Sequence, residues 1–363
     1  MRSISDTIER LRKSRSAHSS APMFDDRLTD LGPFGSNRGA LDAKIHIPKD
    51  LMPRAPLVVV LHGCTQTAST YDHGSGWSRL ADDYGFVVLF PQQTRSNNAN
   101  TCFNWFVPGD IRRDQGEAFS IRQMIETVTS RYDIDRSRIF ITGLSAGGAM
   151  ANVTLATHPE IFAGGAIIAG LPYGTATTVP EAFDRMRGHG LPGPESLQTR
   201  LRSASPHRGP WPTISVWQGT KDQTVVPANA SAIIEQWRGV HELEQPPATE
   251  RIDVHQRIVW RGADGRDAIE LYQLAGMGHG TPIDVRSGYG KAAPYMLDVG
   301  ISSTQHIARS WGLNASFKKR GNIDPGKSHE PPANTFHPPF SLEKGAGIQQ
   351  TIEKALRAAG LMK

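Results

Sequence analysis

A short glycine-flanked serine motif is the first feature of the chain that could perform chemistry. Residues 143–147 read GLSAG, with Ser145 at the centre. Residues 139–142 before the serine predict a strand, whereas residues 146–158 after it predict a helix. A serine at so sharp a turn is presented in strained backbone geometry, and glycine on both sides removes the clash that a Cβ would cause. This context predicts that Ser145 is a nucleophile.

Two later loops offer the partners that such a serine needs. A serine hydroxyl is a weak nucleophile at neutral pH, so one group must take its proton and another must fix the tautomer of that base. Asp222 follows a predicted strand over 213–217, and His279, flanked by glycines, follows a predicted strand over 269–274. The order serine, acid, histidine is the one expected when the nucleophile follows a strand. We therefore predict a triad of Ser145, Asp222 and His279, against a plain connecting turn and an ordinary turn aspartate as alternatives.

Two backbone N–H groups are predicted to face the oxyanion that acyl transfer would generate. The N–H of Ala146 lies at the start of the predicted helix, where N–H groups are unpaired and the helix dipole favours negative charge. Residues 62–66, which read HGCTQ, follow a predicted strand over 57–61. Because Gly63 lets the backbone approach closely, we assign the second donor to the N–H of Cys64.

The elements that must position these loops alternate between short apolar runs and helical segments. Strands are predicted over residues 43–47, 57–61, 86–90, 139–142, 165–169, 213–217 and 269–274. Helices are predicted over residues 77–84, 116–132, 146–158, 229–240 and 303–311, and a hairpin joins residues 257–260 to the last strand. Such alternation predicts an α/β fold with a mainly parallel central sheet and helices on both faces.

The pattern divides the chain into three parts. Residues 1–39 predict a helix and a polar tether, and residues 40–313 carry the alternating elements of one catalytic domain. Within that domain, residues 179–210 contain helical fragments broken by glycine and proline, which predicts either a cap over the site or a surface excursion. Residues 314–363 predict an irregular extension that ends in a helix.

The composition limits the partners and the compartment. The formal net charge is +5, but the basic residues are scattered, so we expect no nucleic-acid partner. No stretch approaches the roughly 20 apolar residues of a membrane span. No apolar segment of a secretion signal follows the N-terminus, which predicts a cytoplasmic protein and leaves another secretion route open.

The chain has two cysteines, Cys64 and Cys102. They are too few for a disulfide framework or for a structural zinc site of the usual kind. A buried, inert thiol is favoured for each of them, with a single bridge between them as the open alternative.

Six short motifs, spread over residues 40–313, together resemble one enzyme family. They lie at residues 61–66, 102–106, 143–148, 219–222, 278–280 and 298–304. On these motifs the chain resembles the esterase family of poly(3-hydroxybutyrate) depolymerases, which is related to feruloyl and acetylxylan esterases. The resemblance implies the α/β-hydrolase fold. It implies hydrolysis of short-chain poly- or oligo(3-hydroxyalkanoate) esters or related carboxylic esters, with neither a metal nor an organic cofactor. It also implies the triad Ser145, Asp222 and His279, with Cys64 in the oxyanion hole.

Several alternatives stay open beside this serine esterase. Trp105 resembles a residue at the mouth of the site that stacks on a flat or apolar acyl chain, with a core tryptophan as the alternative. The substrate alternatives are feruloyl or acetylxylan-type esters, and the alternative of another class is a non-catalytic binding protein on the same fold. The expected partner is a small ester or a polyester oligomer, and the oligomeric state is open. Secreted depolymerases of this family carry a signal peptide and a polymer-binding domain, neither of which is visible here, and this favours soluble oligomers, amorphous granules or small esters.

Overall fold

The computed structural model describes residues 26–314 and builds them around a central sheet. The strands are β1 (Thr29–Asp30), β2 (Asp42–His46), β3 (Ala55–Leu61), β4 (Val87–Gln92), β5 (Ile134–Leu144), β6 (Gly164–Ile168), β7 (Thr213–Gly219), β8 (Ala248–Ile252), β9 (His255–Arg261), β10 (Asp267–Leu274), β11 (Thr281–Ile283) and β12 (Met296–Asp298). β11 and β12 form a separate parallel pair. The other ten strands form one sheet in the order β1-β2-β4-β3-β5-β6-β7-β10-β9-β8.

The helices connect these strands and cover the sheet. Within the described residues the α-helices are α1 (Ala68–Ser75), α2 (Trp77–Tyr84), α3 (Gly116–Arg131), α4 (Ala146–Thr157), α5 (Val179–Met186), α6 (Pro194–Ser203), α7 (Ala228–His241) and α8 (Ser303–Ser310). Short 3₁₀ helices lie at Pro159–Ile161 and Val285–Ser287.

The centre of the sheet is parallel and is buried on both faces. The six central strands run parallel to one another, in the order β4, β3, β5, β6, β7 and β10. The edge strands β1, β2, β8 and β9 are added in antiparallel pairing. Every residue of β3 is buried. Because successive side chains of a strand point to opposite faces, Leu57 and Val59 enter the apolar cluster under α3, α4 and α7, and Val58 enters the cluster under α1, α2 and α8. The predicted α/β architecture is confirmed.

The predicted boundaries agree with the structure where local punctuation is strong. The helix predicted over 77–84 coincides with α2. Gly76, with a φ of 77°, ends α1 directly before it, and Gly85, with a φ of 71°, ends α2. The sequence did not reveal α1, nor the edge strand β8, whose residues are half-buried or exposed. Such short or polar elements lack the apolar periodicity on which the prediction depends.

The segment 179–210 forms α5 and α6, and α6 packs against α7. Leu197 and Leu201 of α6 are buried, and Gln198 Nε2 donates to the carbonyl of Glu235 in α7 at 3.2 Å. These contacts join the segment to α7. The cap and the surface excursion stay predictions for this segment.

Some expectations concern residues beyond the described range. The helix predicted near the start of the chain and the terminal helix both lie outside residues 26–314. None of the described helices is long and apolar enough to cross a bilayer. In the same residues, no group of three or more His, Cys, Asp or Glu side chains is arranged to hold a metal ion.

Candidate active site

The carboxyl ends of β5, β7 and β10 bring Ser145, Asp222 and His279 together. These strands are parallel members of one sheet, so the loops that follow them open at the same edge. His279 Nε2 lies 2.9 Å from Ser145 Oγ, and His279 Nδ1 lies 2.7 Å from Asp222 Oδ2. Both are hydrogen-bond distances. The imidazole therefore joins the hydroxyl to the carboxylate, across loops that are distant in the sequence.

Ser145 holds a backbone conformation that residues with a side chain rarely adopt. Its φ is 56° and its ψ is −117°, at the junction of β5 and α4. A Cβ at Gly143 would lie 2.4 Å from the carbonyl oxygen of Gly147, and a Cβ at Gly147 would lie 2.4 Å from that of His62. Glycine is therefore required at both positions, for the reason predicted from the sequence. The strained turn lifts the hydroxyl out of the sheet edge.

The carboxylate of Asp222 is buried, and donors occupy both of its oxygens. The residue is 3% exposed. Oδ1 accepts the N–H groups of Thr224 and Val225, each at 2.9 Å. Oδ2 accepts Gln218 Nε2 at 3.2 Å in addition to His279 Nδ1. Because Nδ1 of the imidazole donates to this carboxylate, its Nε2 is left as an acceptor that faces the serine hydroxyl.

His62 fixes the orientation of the peptide between Gly63 and Cys64. The Gln93 N–H donates to His62 Nε2 at 3.1 Å, so the ring proton is on Nδ1, which donates to the carbonyl of Gly63 at 2.8 Å. Burial lowers the pKa of His62 to about 4, which keeps the ring neutral. Because the carbonyl and the N–H of a trans peptide point in opposite directions, this contact turns the Cys64 N–H away from the histidine. Within residues 26–314, no acceptor is bonded to that N–H.

The loop that carries this peptide lies against the turn of the nucleophile. β3 and β5 are parallel neighbours, and a Cβ at Gly63 would lie 3.4 Å from Leu144 Cδ2. Ala146 is the first residue of α4, where a backbone N–H has no partner within the helix. The N–H groups of Cys64 and Ala146 therefore lie on two segments that flank Ser145.

Cys64 and Cys102 form a disulfide, which corrects the free thiols favoured from the sequence. Their sulfur atoms are 2.12 Å apart. The two residues follow β3 and β4, which are parallel neighbours, so their loops meet at one edge of the sheet. Thr65 N–H also donates to the carbonyl of Asn100 at 2.7 Å, which holds the same two loops together. The pairing depends on this tertiary contact and could not be read from the spacing of two cysteines.

The disulfide is expected to contribute strongly to stability. It joins residues 38 positions apart, and closing a loop of that length in the unfolded chain removes entropy equivalent to about 4 kcal/mol. We expect the double variant Cys64→Ala, Cys102→Ala to lose about that much free energy of unfolding. Urea denaturation of both proteins without reductant measures the difference. Equal unfolding free energies, or two thiols that react in the unreduced wild type after unfolding, would contradict this prediction.

Gln93 connects the loop that carries His62 and Cys64 to the loop that carries Cys102. Besides its backbone bond to His62, its Nε2 donates to the carbonyl of Cys102 at 2.9 Å and to Glu117 Oε1 at 2.6 Å. The other oxygen of Glu117 accepts the Asn104 N–H at 2.9 Å. Burial raises the pKa of Glu117 to about 8, with a smaller contribution from the nearby carboxylate of Asp110. This buried polar cluster braces the loops on the Cys64 side of the site.

Trp105 is buried beneath the helices. It is 6% exposed and belongs to the apolar cluster under α3, α4 and α7. Its ring packs edge-on against Phe106, with the two centroids 5.3 Å apart. These contacts fit the core alternative that the sequence left open better than they fit stacking on an acyl chain at the mouth of the site.

The sequence did not assign roles to the side chains of three supporting residues: His62, Gln93 and Gln218. The backbone N–H of Gln93 bonds to His62 across two loops, so these roles depend on the fold. Gln218 instead bonds to Asp222 within the loop that follows its own strand. A weak signal was available, because each polar residue stands at or directly after the carboxyl end of an apolar strand. That edge of a parallel sheet is where binding groups collect.

Comparison with known proteins gives a consistent pattern. Residues 43–249 match the family described as Esterase PHB depolymerase. The chain is 44% identical to poly(3-hydroxyalkanoate) depolymerase C of Paucimonas lemoignei over 291 residues, which are 79% of this chain and 70% of that protein. It is 29% identical to an acetylxylan esterase of Coprinopsis cinerea, over 70% of each protein. It is 28% identical to feruloyl esterase B of Talaromyces stipitatus, over 72% of this chain and 75% of that one.

A solved structure agrees with this pattern at the level of the fold. The acetyl xylan esterase from Aspergillus awamori matches with a TM-score of 0.68 and 24% sequence identity. The match covers 79% of this chain and 99% of the other. At this identity the likeness concerns the arrangement of strands and helices rather than the substrate.

Proposed function

Since the chain belongs to the esterase PHB depolymerase family and has the α/β-hydrolase fold, we propose that it hydrolyses short-chain poly- or oligo(3-hydroxyalkanoate) esters through an acyl-enzyme on Ser145. The chain is a carboxylic-ester hydrolase, as expected from its sequence. The observation that carries the proposed mechanism is the bridge of His279 between Ser145 and Asp222, at 2.9 and 2.7 Å.

The first half of the reaction transfers the acyl group to the enzyme. Ser145 Oγ attacks the ester carbonyl carbon while its proton moves to His279 Nε2. Asp222 holds the imidazole in the required tautomer and stabilises the imidazolium. The N–H groups of Cys64 and Ala146 donate to the oxyanion. The bond to the alcohol oxygen then breaks, and that oxygen takes the proton from His279 Nε2.

The second half releases the acid. A water molecule occupies the place of the departed alcohol and gives a proton to His279 Nε2 as its oxygen attacks the acyl carbon. The same two N–H groups donate to the second oxyanion. The bond between the acyl carbon and Ser145 Oγ breaks, and the serine recovers its proton from the imidazolium. The chemistry balances with water as the only co-reactant.

The proposed substrate class rests on the similarity to a named depolymerase. The 44% identity to a poly(3-hydroxyalkanoate) depolymerase exceeds the 29% and 28% identities to an acetylxylan esterase and a feruloyl esterase. Acetylxylan and feruloyl esters are therefore the second candidate class. The small ester or polyester oligomer would be the partner that the site binds.

A direct comparison of substrates distinguishes these candidates. Soluble 3-hydroxybutyrate oligomers, a feruloyl ester and acetylated xylan are each incubated with the protein, and the released acids are quantified. We expect the release of 3-hydroxybutyrate to exceed the release of ferulate or acetate by at least about tenfold in kcat/KM. Intact oligomers beside rapid release of ferulate or acetate would contradict the proposed substrate class.

The compartment is a separate proposal. The cytoplasmic location stays a prediction. Disulfides such as Cys64–Cys102 persist in oxidising compartments, because cytosolic thiols are kept reduced. The disulfide therefore favours an oxidising compartment over the cytoplasm. Free thiols are counted in protein isolated with an alkylating agent present. Two free thiols would support the cytoplasmic location, whereas none would support an oxidising compartment.

A further inference from the structure

Tyr295 stands beside His279 in a segment that the proposed mechanism does not use. The centroids of the two rings are 6.4 Å apart and their planes cross at 80°, which is an edge-to-face arrangement. The tyrosine is half-buried, so part of it remains open to solvent. His279 is also partly exposed, so a molecule bound at its imidazole lies close to this ring.

The backbone around Tyr295 is held between the two loops that flank the reacting serine. Its carbonyl accepts the Thr281 N–H at 2.7 Å, two residues after His279. Gln66 Nε2, on the loop of the proposed oxyanion donor, donates to the carbonyl of Pro294 at 3.5 Å. The segment thus connects the loop that carries His279 to the loop that carries Cys64.

The backbone of Tyr295 favours glycine rather than a bulky side chain. Its φ is 64°, in the left-handed region that large L-residues rarely adopt. Strained conformations of this kind persist where neighbouring contacts impose them, and they concentrate at ligand-binding places. A glycine would take the same turn without steric cost. One part of the ring packs against the apolar cluster under α1, α2 and α8, and the rest is exposed and can contact a ligand.

The position of the ring relative to His279 assigns it to one half of the substrate. For the imidazole to protonate the departing alcohol, that oxygen must lie within hydrogen-bond reach of His279 Nε2. A partly exposed side chain beside the imidazole is therefore placed to contact the alcohol portion of the ester. The acyl portion extends from the carbonyl carbon at Ser145, away from the histidine.

We infer that Tyr295 is a specificity-determining residue whose ring forms the wall of the site for the leaving alcohol. The inference rests on the proposed function, and it names the half of the substrate that this residue selects. In an oligoester the leaving alcohol is the hydroxyl end of the next hydroxyalkanoate unit, a branched and largely apolar group. An aromatic ring offers such a group a flat apolar surface at little cost in conformational entropy.

Two ester series separate this role from a general effect on the triad. One series keeps a butyryl acyl group and varies the alcohol from methanol to larger alkyl and aryl alcohols. The other keeps 4-nitrophenol and varies the acyl group from acetyl to hexanoyl. In Tyr295→Ala and Tyr295→Gly, we expect kcat/KM for the largest alcohols to fall about tenfold relative to the methyl ester, with the acyl preference unchanged. Tyr295→Phe should behave like the wild type.

Deacylation provides the readout that a merely structural role would not share. The alcohol has left before water attacks, so the rate constant for hydrolysis of a preformed butyryl-enzyme should change less than twofold in Tyr295→Gly. Tyr132→Ala is the matched control, because it removes another half-buried tyrosine just before β5, at the opposite edge of the sheet from Ser145. The control should keep the wild-type alcohol preference.

The outcomes that would overturn the inference are distinct from failure of the proposed function. Equal losses for methyl and larger alcohols, or a parallel loss in deacylation, would mean that Tyr295 only positions His279. A shifted acyl preference would place the ring in the other half of the site. Tyr295→Gly should remain folded, since glycine adopts a φ of 64° without steric cost and this offsets part of the packing lost with the ring. A wild-type protein that hydrolyses no oligomer but keeps a Tyr295-dependent alcohol preference would contradict the proposed substrate alone.

Discussion

Replacing Ser145 by alanine is expected to lower kcat for short 4-nitrophenyl esters by about 10⁵ to 10⁶. The variant keeps the proposed oxyanion donors but removes the atom to which the acyl group would bond. Alanine and serine both carry a Cβ, so the strained turn at φ 56° costs the two side chains about the same and the fold around it should be retained. Initial rates over a range of substrate concentrations, together with a thermal melt, measure both effects.

The matched control for that variant replaces a serine whose removal should not change kcat. Ser137 is an exposed serine near the start of β5, and its hydroxyl donates to the side chain of Asp135. Ser137→Ala should keep wild-type kcat. Esterase activity that survives Ser145→Ala in a folded protein would mean that another residue is the nucleophile.

Replacing Asp222 by asparagine is expected to lower kcat by about 10⁴ while the protein stays folded. The N–H groups of Thr224 and Val225 both donate to Oδ1, so the amide oxygen of asparagine should occupy that position. Its NH₂ group would then face His279 Nδ1 and require that nitrogen to act as an acceptor. The ring proton would move to Nε2, where it prevents the imidazole from accepting the proton of the serine. Steady-state kinetics near neutral pH measure the loss.

A second aspartate gives the matched control for this variant. Asp264 is exposed in the β9–β10 hairpin, and its carboxylate likewise accepts a backbone N–H, from Arg266 at 3.0 Å. Asp264→Asn should keep kcat within about twofold, because an exposed turn lies outside the site. If Asp222→Asn were as active as this control, Asp222 would not be the residue that sets the tautomer of His279.

The sequence predicted the features that depend on local pattern and chain order. Apolar runs located the parallel strands, and the glycines beside Ser145 identified the turn whose crowding requires them. Asp222 and His279 were found because each follows a strand of the same parallel sheet, and the geometry of such a sheet brings these ends together. Prediction from one sequence succeeds here because the fold converts order along the chain into position along an edge.

The features that the sequence left out depend on contacts between loops. The pairing of Cys64 with Cys102 follows from the adjacency of β3 and β4. The hydrogen bond from His62 Nδ1 to the carbonyl of Gly63 is local. It fixes the Gly63–Cys64 peptide only because the Gln93 N–H donates to the other ring nitrogen. Tyr295 meets His279 through the small β11–β12 pair, which has three residues in each strand and no clear periodic signal. In each case the partner is set by tertiary packing rather than by spacing.

The most direct test of the central claim is to identify the residue that forms a covalent bond with a serine-directed probe. The native protein is treated with a fluorophosphonate, digested, and mapped by mass spectrometry. We expect one phosphonyl adduct on the peptide that contains Ser145, lost in Ser145→Ala and formed far more slowly in Asp222→Asn. An adduct on a different residue, or an active wild-type protein that the probe neither labels nor inhibits, would contradict a hydroxyl activated by His279.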